Sequence, residues 1–390
     1  MNGRERLLKT LRGEPVDRVP IAPFLYYNNV YEMFGFKPDI ETFFDPPDFD
    51  PIAKFVEYCD YFGFDVLHTL GSVWDFHTAY NSTHDRSFAL AWENWDVTIA
   101  DTRKGDEKHR RVTVRTPEGE VAWAEEYKRT STYLIVSAPI EYPIKSREDF
   151  ELVRKYGPPC DNMDTRLIRR AKEAVGDKGL VTTCMHGAFN QLAQYRSLEN
   201  LMMDPMLDEG LYREMMDWSV ELVVTRVQKI MEIGTDVIEM AANLAGSAVG
   251  PKFYANYVLE YESRLIDAIH DVGGLVIFHN CGDAAKIMHL YNEMGMDCWG
   301  YLTPPPFGDV DLAEALRIIR PDMALRGNID QVEFMIKATP EQVREQVREL
   351  LIQVKPRGNW ILSTTDFFFD ETPYENIMAF AEAGYQYGAY

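Results

Sequence analysis

A histidine and a cysteine two residues apart, His279 and Cys281, have the types and the spacing that metal chemistry requires. They follow the apolar run at residues 275–278, which indicates a short buried strand. Residues i and i+2 of an extended segment point to the same side, so the imidazole and the thiol face one point. Converging nitrogen and sulfur ligands suit zinc. The alternative interpretation is a core histidine beside an inert buried thiol.

The composition favours a cytoplasmic protein. The 390 residues are 46% hydrophobic, which is enough for one large α/β barrel or two average domains. The N-terminus has no apolar stretch of signal-peptide type, and no apolar run reaches the length of a membrane span. Five cysteines without paired spacing indicate a reducing compartment. The net charge of −22 argues against nucleic acid and anionic membranes as partners.

Short apolar strands alternate with helices from residue 147 onward. The pattern predicts helices at residues 166–175, 207–233, 253–272, 312–319 and 340–354, and strands at residues 180–183, 237–240, 275–278, 323–326 and 360–363, with an earlier strand at residues 19–24. Strands separated by helices pair in parallel with right-handed crossovers, so we expect a (β/α)8 TIM barrel. A doubly wound sheet is the runner-up, but no Gly-x-Gly-x-x-Gly follows a strand.

Two segments lie outside the alternation of strands and helices. An amphipathic helix at residues 4–11 forms an N-terminal extension. Residues 112–115 and 121–124 alternate in polarity around a turn, which predicts a β-hairpin, and residues 133–136 extend it. We interpret residues 91–145 as an antiparallel β insertion that covers one end of a single domain spanning residues 1–390.

Polar side chains stand at the ends of most predicted strands, where a barrel carries its catalytic residues. A barrel directs them to one mouth, which gives the histidine–cysteine pair possible partners. Each also has a structural interpretation: the histidines can bond loop carbonyls, and Asn328 and Asp330 can cap a helix. The residues are Tyr26, Asn28, His68, His186, Asn190, Glu239, Asn243, Tyr301, Asn328, Asp330, Thr365 and Asp366. Cys59, Cys160, Cys184 and Cys298 have no local partner and are interpreted as inert thiols.

Several motifs of the chain are similar to those of the uroporphyrinogen decarboxylase superfamily, which includes a cobalamin-dependent methyltransferase branch. They stand at residues 4–9, 17–20, 234–239, 279–283, 325–330, 360–363 and 370–377. The resemblance covers nearly the whole chain apart from the region around residues 91–145, and it implies the same barrel fold.

Two departures from the family pattern distinguish the branches. Decarboxylases of the family carry an arginine-rich motif soon after the first strand, whereas residues 24–30 contain no arginine here. Without guanidinium groups a substrate with many carboxylates has little to bind it, so we do not expect porphyrinogen decarboxylation. The methyltransferase branch holds zinc with a His-x-Cys pair and a later cysteine. His279 and Cys281 match the pair, but Asp366 takes the place of the later cysteine.

The resemblance therefore implies a zinc site of His279, Cys281 and Asp366, with Glu239 or a water as fourth ligand. Asp366 has an alternative role as a general acid or base, or as a loop cap, in a site that has lost its metal. The remaining expectations are Glu239, Asp366, His186 and Tyr26 as catalytic residues, and Asn28, Asn328 and Phe367 as cofactor-binding residues. The aromatic residues Tyr26, Tyr27, Trp74, Phe76 and Phe367 to Phe369 can stack on an aromatic ring or a corrinoid, or can pack the loops.

The expected activity is methyl transfer between a small methylated substrate and a corrinoid carried by a partner protein. A carboxylate ligand makes zinc harder than a thiolate does, which suits an oxygen of a methoxylated aromatic. The alternatives are a decarboxylase of a small acid other than uroporphyrinogen, and a non-catalytic binding barrel.

Overall fold

Parallel strands form the centre of the protein. The structure, a computed structural model, describes residues 1–43, 45–70, 91–159 and 165–390. Its larger sheet is parallel and contains seven strands in the order β1-β6-β7-β8-β9-β10-β11. These strands are β1 (Val66–Leu70), β6 (Gly179–His186), β7 (Val237–Ala241), β8 (Leu275–His279), β9 (Cys298–Gly300), β10 (Ala324–Ile329) and β11 (Trp360–Thr364).

A short extended segment at residues 20–22 fills the gap between the two edges of this sheet. Ile21 pairs in parallel with Leu362 of β11, where the Leu362 N–H donates to Pro20 at 2.9 Å. On the other side, the Asp65 N–H donates to the Ile21 carbonyl at 2.9 Å. The segment is the expected first strand, and it completes an eight-membered barrel, which confirms the predicted TIM-barrel fold.

Helices surround the barrel and connect its strands in the expected alternation. The predicted helix at 253–272 is two helices in the structure, and a short helix follows the first strand. The helices are α1 (Gly3–Leu11), α2 (Tyr27–Met33), α3 (Pro51–Phe62), α4 (Arg147–Tyr156), α5 (Arg166–Val175), α6 (Ala188–Leu192), α7 (Leu198–Leu207), α8 (Glu209–Glu232), α9 (Pro251–Tyr257), α10 (Leu259–Asp271), α11 (Leu312–Ile318), α12 (Phe334–Lys337), α13 (Pro340–Val354) and α14 (Tyr374–Gly388). No helix in the described ranges is both long and apolar enough to cross a membrane.

The region expected to hold a hairpin is an antiparallel sheet of four strands in sequential order. They are β2 (Asp96–Lys104), β3 (Glu107–Thr116), β4 (Gly119–Arg129) and β5 (Ile135–Glu141). The hairpin β3–β4 turns at the predicted position, and β5 extends it as expected. Sequence reasoning missed β2, because nearly all its residues are exposed and it lacks the polar–apolar alternation of a half-buried strand.

The barrel interior near the N-terminal ends of the strands, the lower layer of the barrel, is apolar. Helix α1 contributes Leu7 and Leu11 to this layer and so closes the N-terminal end of the barrel. Apolar burial here explains why the N-terminal extension is part of the fold. The barrel residues of the layer are Ala22, Leu67, Leu180, Val237, Ile277, Cys298, Ala324 and Ile361.

Ion pairs and hydrogen bonds to the buried Asp65 attach α1 and the first strand to the start of β1. Asp65 accepts hydrogen bonds from Arg6, from Arg18 at 2.7 Å and from the Ile21 N–H at 2.9 Å. Arg6 also pairs with Asp17 at 2.7 Å, which holds the pKa of that carboxyl well below its usual range. Asp65 and Arg6 are buried, so each depends on the other for its compensation.

We predict that Asp65→Ala lowers the free energy of unfolding by about 3–5 kcal/mol, because Arg6, Arg18 and the Ile21 N–H all lose the buried carboxylate that they share. Urea unfolding monitored by tryptophan fluorescence would measure the loss. The matched control is Asp236→Ala, which removes the partly exposed partner of Arg4 and should cost about 1 kcal/mol or less. Equal losses in the two variants would contradict the prediction.

Candidate functional site

One group of side chains within the described ranges has the geometry of a metal site. Ligand atoms of His279, Cys281 and Asp366 all lie within 4.8 Å of one another. His279 ends β8, and Asp366 follows β11, so the barrel brings both to its C-terminal mouth. Gly282 has a φ of +99°, a conformation that favours glycine, and it turns the chain away after Cys281. The structure therefore brings together the three ligands expected from the sequence.

Glu239, the fourth ligand expected from the sequence, is not a member of this group. Its Oε1 accepts hydrogen bonds from the Tyr301 hydroxyl at 2.8 Å and from Nδ1 of His279 at 3.0 Å. Its Oε2 accepts one from the Thr69 hydroxyl at 3.0 Å and lies 3.4 Å from Nη1 of Arg326. A carboxylate engaged in this way orients the imidazole, and it leaves Nε2 as the nitrogen that can bind a metal.

The surroundings of Glu239 and His279 favour positive charge. Burial would raise the pKa of Glu239, but the charge of Arg326 and the hydrogen bonds from His279 and Tyr301 lower it to about 2. Burial would lower the pKa of His279, but Cys281 and Glu239 outweigh it and raise it to about 10. The nitrogen, sulfur and carboxylate groups therefore attract a cation, either a proton or a metal ion.

The loop that carries Asp366 is fixed by its own backbone. Oδ1 of Asp366 accepts from the Phe367 N–H at 2.8 Å, and its carbonyl accepts from the Thr364 hydroxyl at 2.6 Å. Burial raises the pKa of the Asp366 carboxyl. One carboxylate oxygen is thus held by the loop, and the carboxyl group faces the histidine and the cysteine.

Aromatic rings form one wall beside the metal-type group. Phe24 meets the His279 ring edge-on at a centroid distance of 5.4 Å, and Phe367 lies 6.3 Å from Phe24. Tyr26 lies 5.7 Å from Phe367, which continues the wall outward. Phe368 differs from its neighbours, because it is fully buried against Phe380 of α14. Trp74, Phe76 and Cys160 lie outside the described residues.

The other residues singled out in the sequence lie around the mouth in different settings. His186 ends β6 and pairs in register with Ala241 of β7, which in turn pairs with His279 of β8. The two histidines therefore lie at one level of the barrel. Asn328 donates to the Leu302 carbonyl at 3.2 Å. Asn28 is buried and donates to the Phe368 carbonyl at 3.1 Å, behind the loop that carries Asp366. Its expected role as a cofactor-binding residue stays a prediction.

Two thiols expected to be inert face the barrel interior. Cys298 is buried in the apolar layer, and burial raises its pKa above the usual range. Cys184 is also buried, and its pKa is raised by burial first and then by the negative charges around Glu239. Both therefore remain protonated thiols, which bind metal poorly.

Sequence reasoning missed Arg326, which is fully buried in β10 and pairs with Glu239. The sequence did carry a signal for this ion pair. An arginine stands within a predicted apolar strand, and a buried guanidinium requires an anion beside it. Thr69 was missed as well, since a threonine in a strand carries no such signal.

His68, one of the strand-end candidates, lies apart from the site. It packs against Phe55 of α3 at a ring distance of 4.2 Å and is fully buried. No described residue forms a hydrogen bond with either ring nitrogen. Burial lowers the pKa of His68 to about 3. The side chain is therefore a neutral core residue, in neither a catalytic nor a ligand position.

The chain is similar in sequence to proteins of one family. Residues 136–387 match the family model for uroporphyrinogen decarboxylase (URO-D). The chain is 22% identical to the methylcobamide:CoM methyltransferase MtbA of Methanosarcina mazei over 98% of both chains. It is 24% identical to the uroporphyrinogen decarboxylase of Gloeobacter violaceus over 62% of this chain and 70% of that one. A third relative, the methylated-thiol–coenzyme M methyltransferase of Methanosarcina mazei, is 26% identical over half of each chain.

A solved structure has the same fold along its whole length. The methyltransferase from Methanosarcina mazei superposes with a TM-score of 0.70 over 99% of both chains, at 16% sequence identity. At that identity the likeness shows the fold alone.

We predict that acid weakens the fold through His68. Its folded pKa lies below the ordinary value of 6.5, so as the pH falls below 6.5 the unfolded chain binds a proton that the folded protein refuses. Between pH 7.5 and 5.5 this residue should lower the free energy of unfolding by about 1.4 kcal/mol. His68→Phe, compared with the wild type by urea unfolding at both pH values, should remove that part of the loss. An unchanged pH dependence would show that His68 does not titrate as described.

Proposed function

The chain belongs to the uroporphyrinogen decarboxylase family, and from this membership and the geometry of the barrel mouth we propose that it is a corrinoid-dependent methyltransferase. It moves a methyl group between a small methylated molecule and a corrinoid carried by a partner protein. The observation that carries the proposal is the converging group of His279, Cys281 and Asp366. Two of the relatives named above are methyltransferases, one of them acting on methylcobamide.

The three side chains fit a catalytic zinc ion. Imidazole nitrogen, thiolate sulfur and carboxylate oxygen are all zinc ligands, and catalytic zinc sites have three protein ligands and one open position. His279 would bind through Nε2, Cys281 through sulfur and Asp366 through a carboxylate oxygen. Zinc at this place supplies a Lewis acid for the heteroatom that carries the methyl group.

The residues beneath the ligands hold them in position. Glu239 fixes the tautomer and the orientation of His279 through Nδ1, and Arg326 keeps Glu239 in its anionic form. Tyr301 donates to the same carboxylate and packs on the His279 ring at 4.6 Å. We therefore propose Glu239 as a positioning residue for His279, where the sequence predicted a ligand.

The substrate that suits this site best is a methoxylated aromatic. The carboxylate ligand Asp366 makes zinc harder and more suited to an ether or phenol oxygen. Phe24, Tyr26 and Phe367 provide a wall on which an aromatic ring can stack. Tyr26 is proposed to contact the substrate, and His186 is proposed to exchange protons at the mouth. Asn328 and Phe367 keep their expected role beside the corrinoid.

Decarboxylation of a porphyrinogen does not suit the same site. Residues 24–30, which follow the first strand, contain no arginine, and the buried Arg326 is already paired with Glu239. A substrate with many carboxylates needs several exposed guanidinium groups. The net charge of −22 adds repulsion.

We predict that the purified protein takes up one zinc ion per chain and that Cys281→Ser loses most of it, because a hydroxyl is a far weaker zinc ligand than a thiolate. Cys298→Ser is the matched control and should retain zinc, since Cys298 lies in the apolar layer of the barrel. Asp366→Cys should retain or tighten binding. Elemental analysis and competition with a chromogenic chelator measure these changes. Cys281→Ser with the zinc content of the wild type would contradict the site.

We predict that the zinc-loaded protein, mixed with a reduced corrinoid protein and methyl aryl ethers, methylates cobalt and releases the phenol. The change in the visible absorbance of the corrinoid measures the rate. Cys281→Ser should lower the rate at least about 100-fold, because it loses most of the zinc that would stabilise the leaving oxygen. Carbon dioxide release from a small acid, with no cobalt methylation across the donor panel, would favour a decarboxylase instead.

A further inference from the structure

The loop that carries Asp366 is held from outside the barrel as well as by its own backbone. The Phe368 carbonyl accepts from the side-chain amides of Asn28 at 3.1 Å and of Asn29 at 2.6 Å, both in α2. Both asparagines are buried. The middle of the loop is therefore attached to the segment that follows the first strand.

Asp370, at the far end of this loop, is bonded to two separate elements. Its Oδ1 accepts from the Asn28 amide at 3.0 Å. Its Oδ2 accepts from the Ser131 hydroxyl and from the Tyr133 N–H at 3.3 Å. Ser131 and Tyr133 belong to the turn at residues 130–134 between β4 and β5 of the insertion, so the insertion sheet contacts the ligand loop directly.

The contacts of Asp370 are not those of a helix cap. Helix α14 begins at Tyr374 with Pro373 at its N-cap, and the donors to the Asp370 carboxylate lie on α2 and on the insertion. Hydrogen bonds to an ionised carboxylate are stronger than those between neutral groups. The carboxylate thus joins three elements that meet beside the barrel mouth.

The insertion sheet has anchors of its own, which do not depend on Asp370. Arg129 donates to the Pro38 carbonyl at 2.7 Å, and the buried Lys108 pairs with Glu41 at 2.7 Å. The sheet is thereby attached to residues 38–41. Loss of the Asp370 contacts should free the ligand loop while the sheet stays folded.

We propose that Asp370 is a positioning residue for Asp366 and that the turn at residues 130–134 of the insertion is a structural part of the metal centre. The inference rests on the proposed function, because it takes Asp366 as a zinc ligand. Metal ligands need placement to within about 0.5 Å, and a loop achieves this only when its supporting contacts are fixed. The two ends of the loop are held by different means: Thr364 and the Phe367 N–H near Asp366, and the insertion at Asp370.

Zinc affinity tests this role. Asp370→Asn keeps the size of the side chain but turns one acceptor into a donor that faces other donors, and it should weaken zinc binding about 10- to 100-fold, as expected for an outer-sphere partner. Ser131→Ala should also weaken zinc binding. Ser131→Thr, which keeps the hydroxyl, should bind zinc as tightly as the wild type. Competition with a chromogenic chelator at 25 °C measures the affinity, and circular dichroism confirms the fold.

Asp330→Asn is the matched control. Asp330 accepts from the Val332 and Glu333 N–H groups at 2.7 and 2.9 Å, in the loop that follows β10, and contacts none of the three ligands. Asp330→Asn should lower the melting temperature without changing zinc affinity. If Asp370 had only a structural role, Asp370→Asn would behave in the same way as this control.

The outcomes separate this inference from the proposed function. A wild-type protein that takes up no zinc would remove the proposed metal centre and this inference with it. Wild-type zinc binding that Asp370→Asn and Ser131→Ala leave unchanged would overturn the role of Asp370 alone. Weaker binding in both variants, with rescue by Ser131→Thr and no effect of Asp330→Asn, would support it.

Discussion

A single buried carboxylate, Glu239, is the constraint on which the functional end of the barrel depends. A charge without access to water requires compensation, and Glu239 obtains it from Arg326, His279, Tyr301 and Thr69. These partners come from β10, β8, the residue after β9, and β1. The carboxylate therefore connects strands from different parts of the barrel, and the imidazole that faces the mouth takes its orientation from this network.

The barrel divides its interior between stability and chemistry. The lower layer is apolar and is closed by α1, whereas the polar side chains lie above it, toward the C-terminal ends of the strands. The same division is general for α/β barrels, because the loops at that end can vary without disturbing the core. Here the ion pair of Arg6 and Asp65 attaches the closing helix at one end of the barrel, and the group of His279, Cys281 and Asp366 lies at the opposite end.

The members of the group of His279, Cys281 and Asp366 are held by different elements. His279 and Cys281 follow a strand of the barrel, and His279 is fixed by a buried carboxylate. Asp366 stands on a loop whose contacts include α2 and the insertion sheet. An insertion that looks like a cover in the sequence is thus bonded to the loop that carries Asp366.

Local sequence was sufficient for the features that arise from neighbouring residues. The alternation of strands and helices predicted the barrel, and the spacing of His279 and Cys281 placed both at a strand end, because side-chain direction follows the period of the strand. The strand pattern placed Asp366 at a strand end as well, and the family resemblance suggested its role as a ligand. Contacts between distant residues were decided by the tertiary structure: Glu239 and Arg326 are 87 positions apart, and Ser131 and Asp370 are 239 apart. No periodicity encodes such pairs, because they depend on the closure of the barrel and the docking of the insertion. The sequence suggested Glu239 as a ligand, whereas its hydrogen bond with Nδ1 of His279 is visible only in the folded chain.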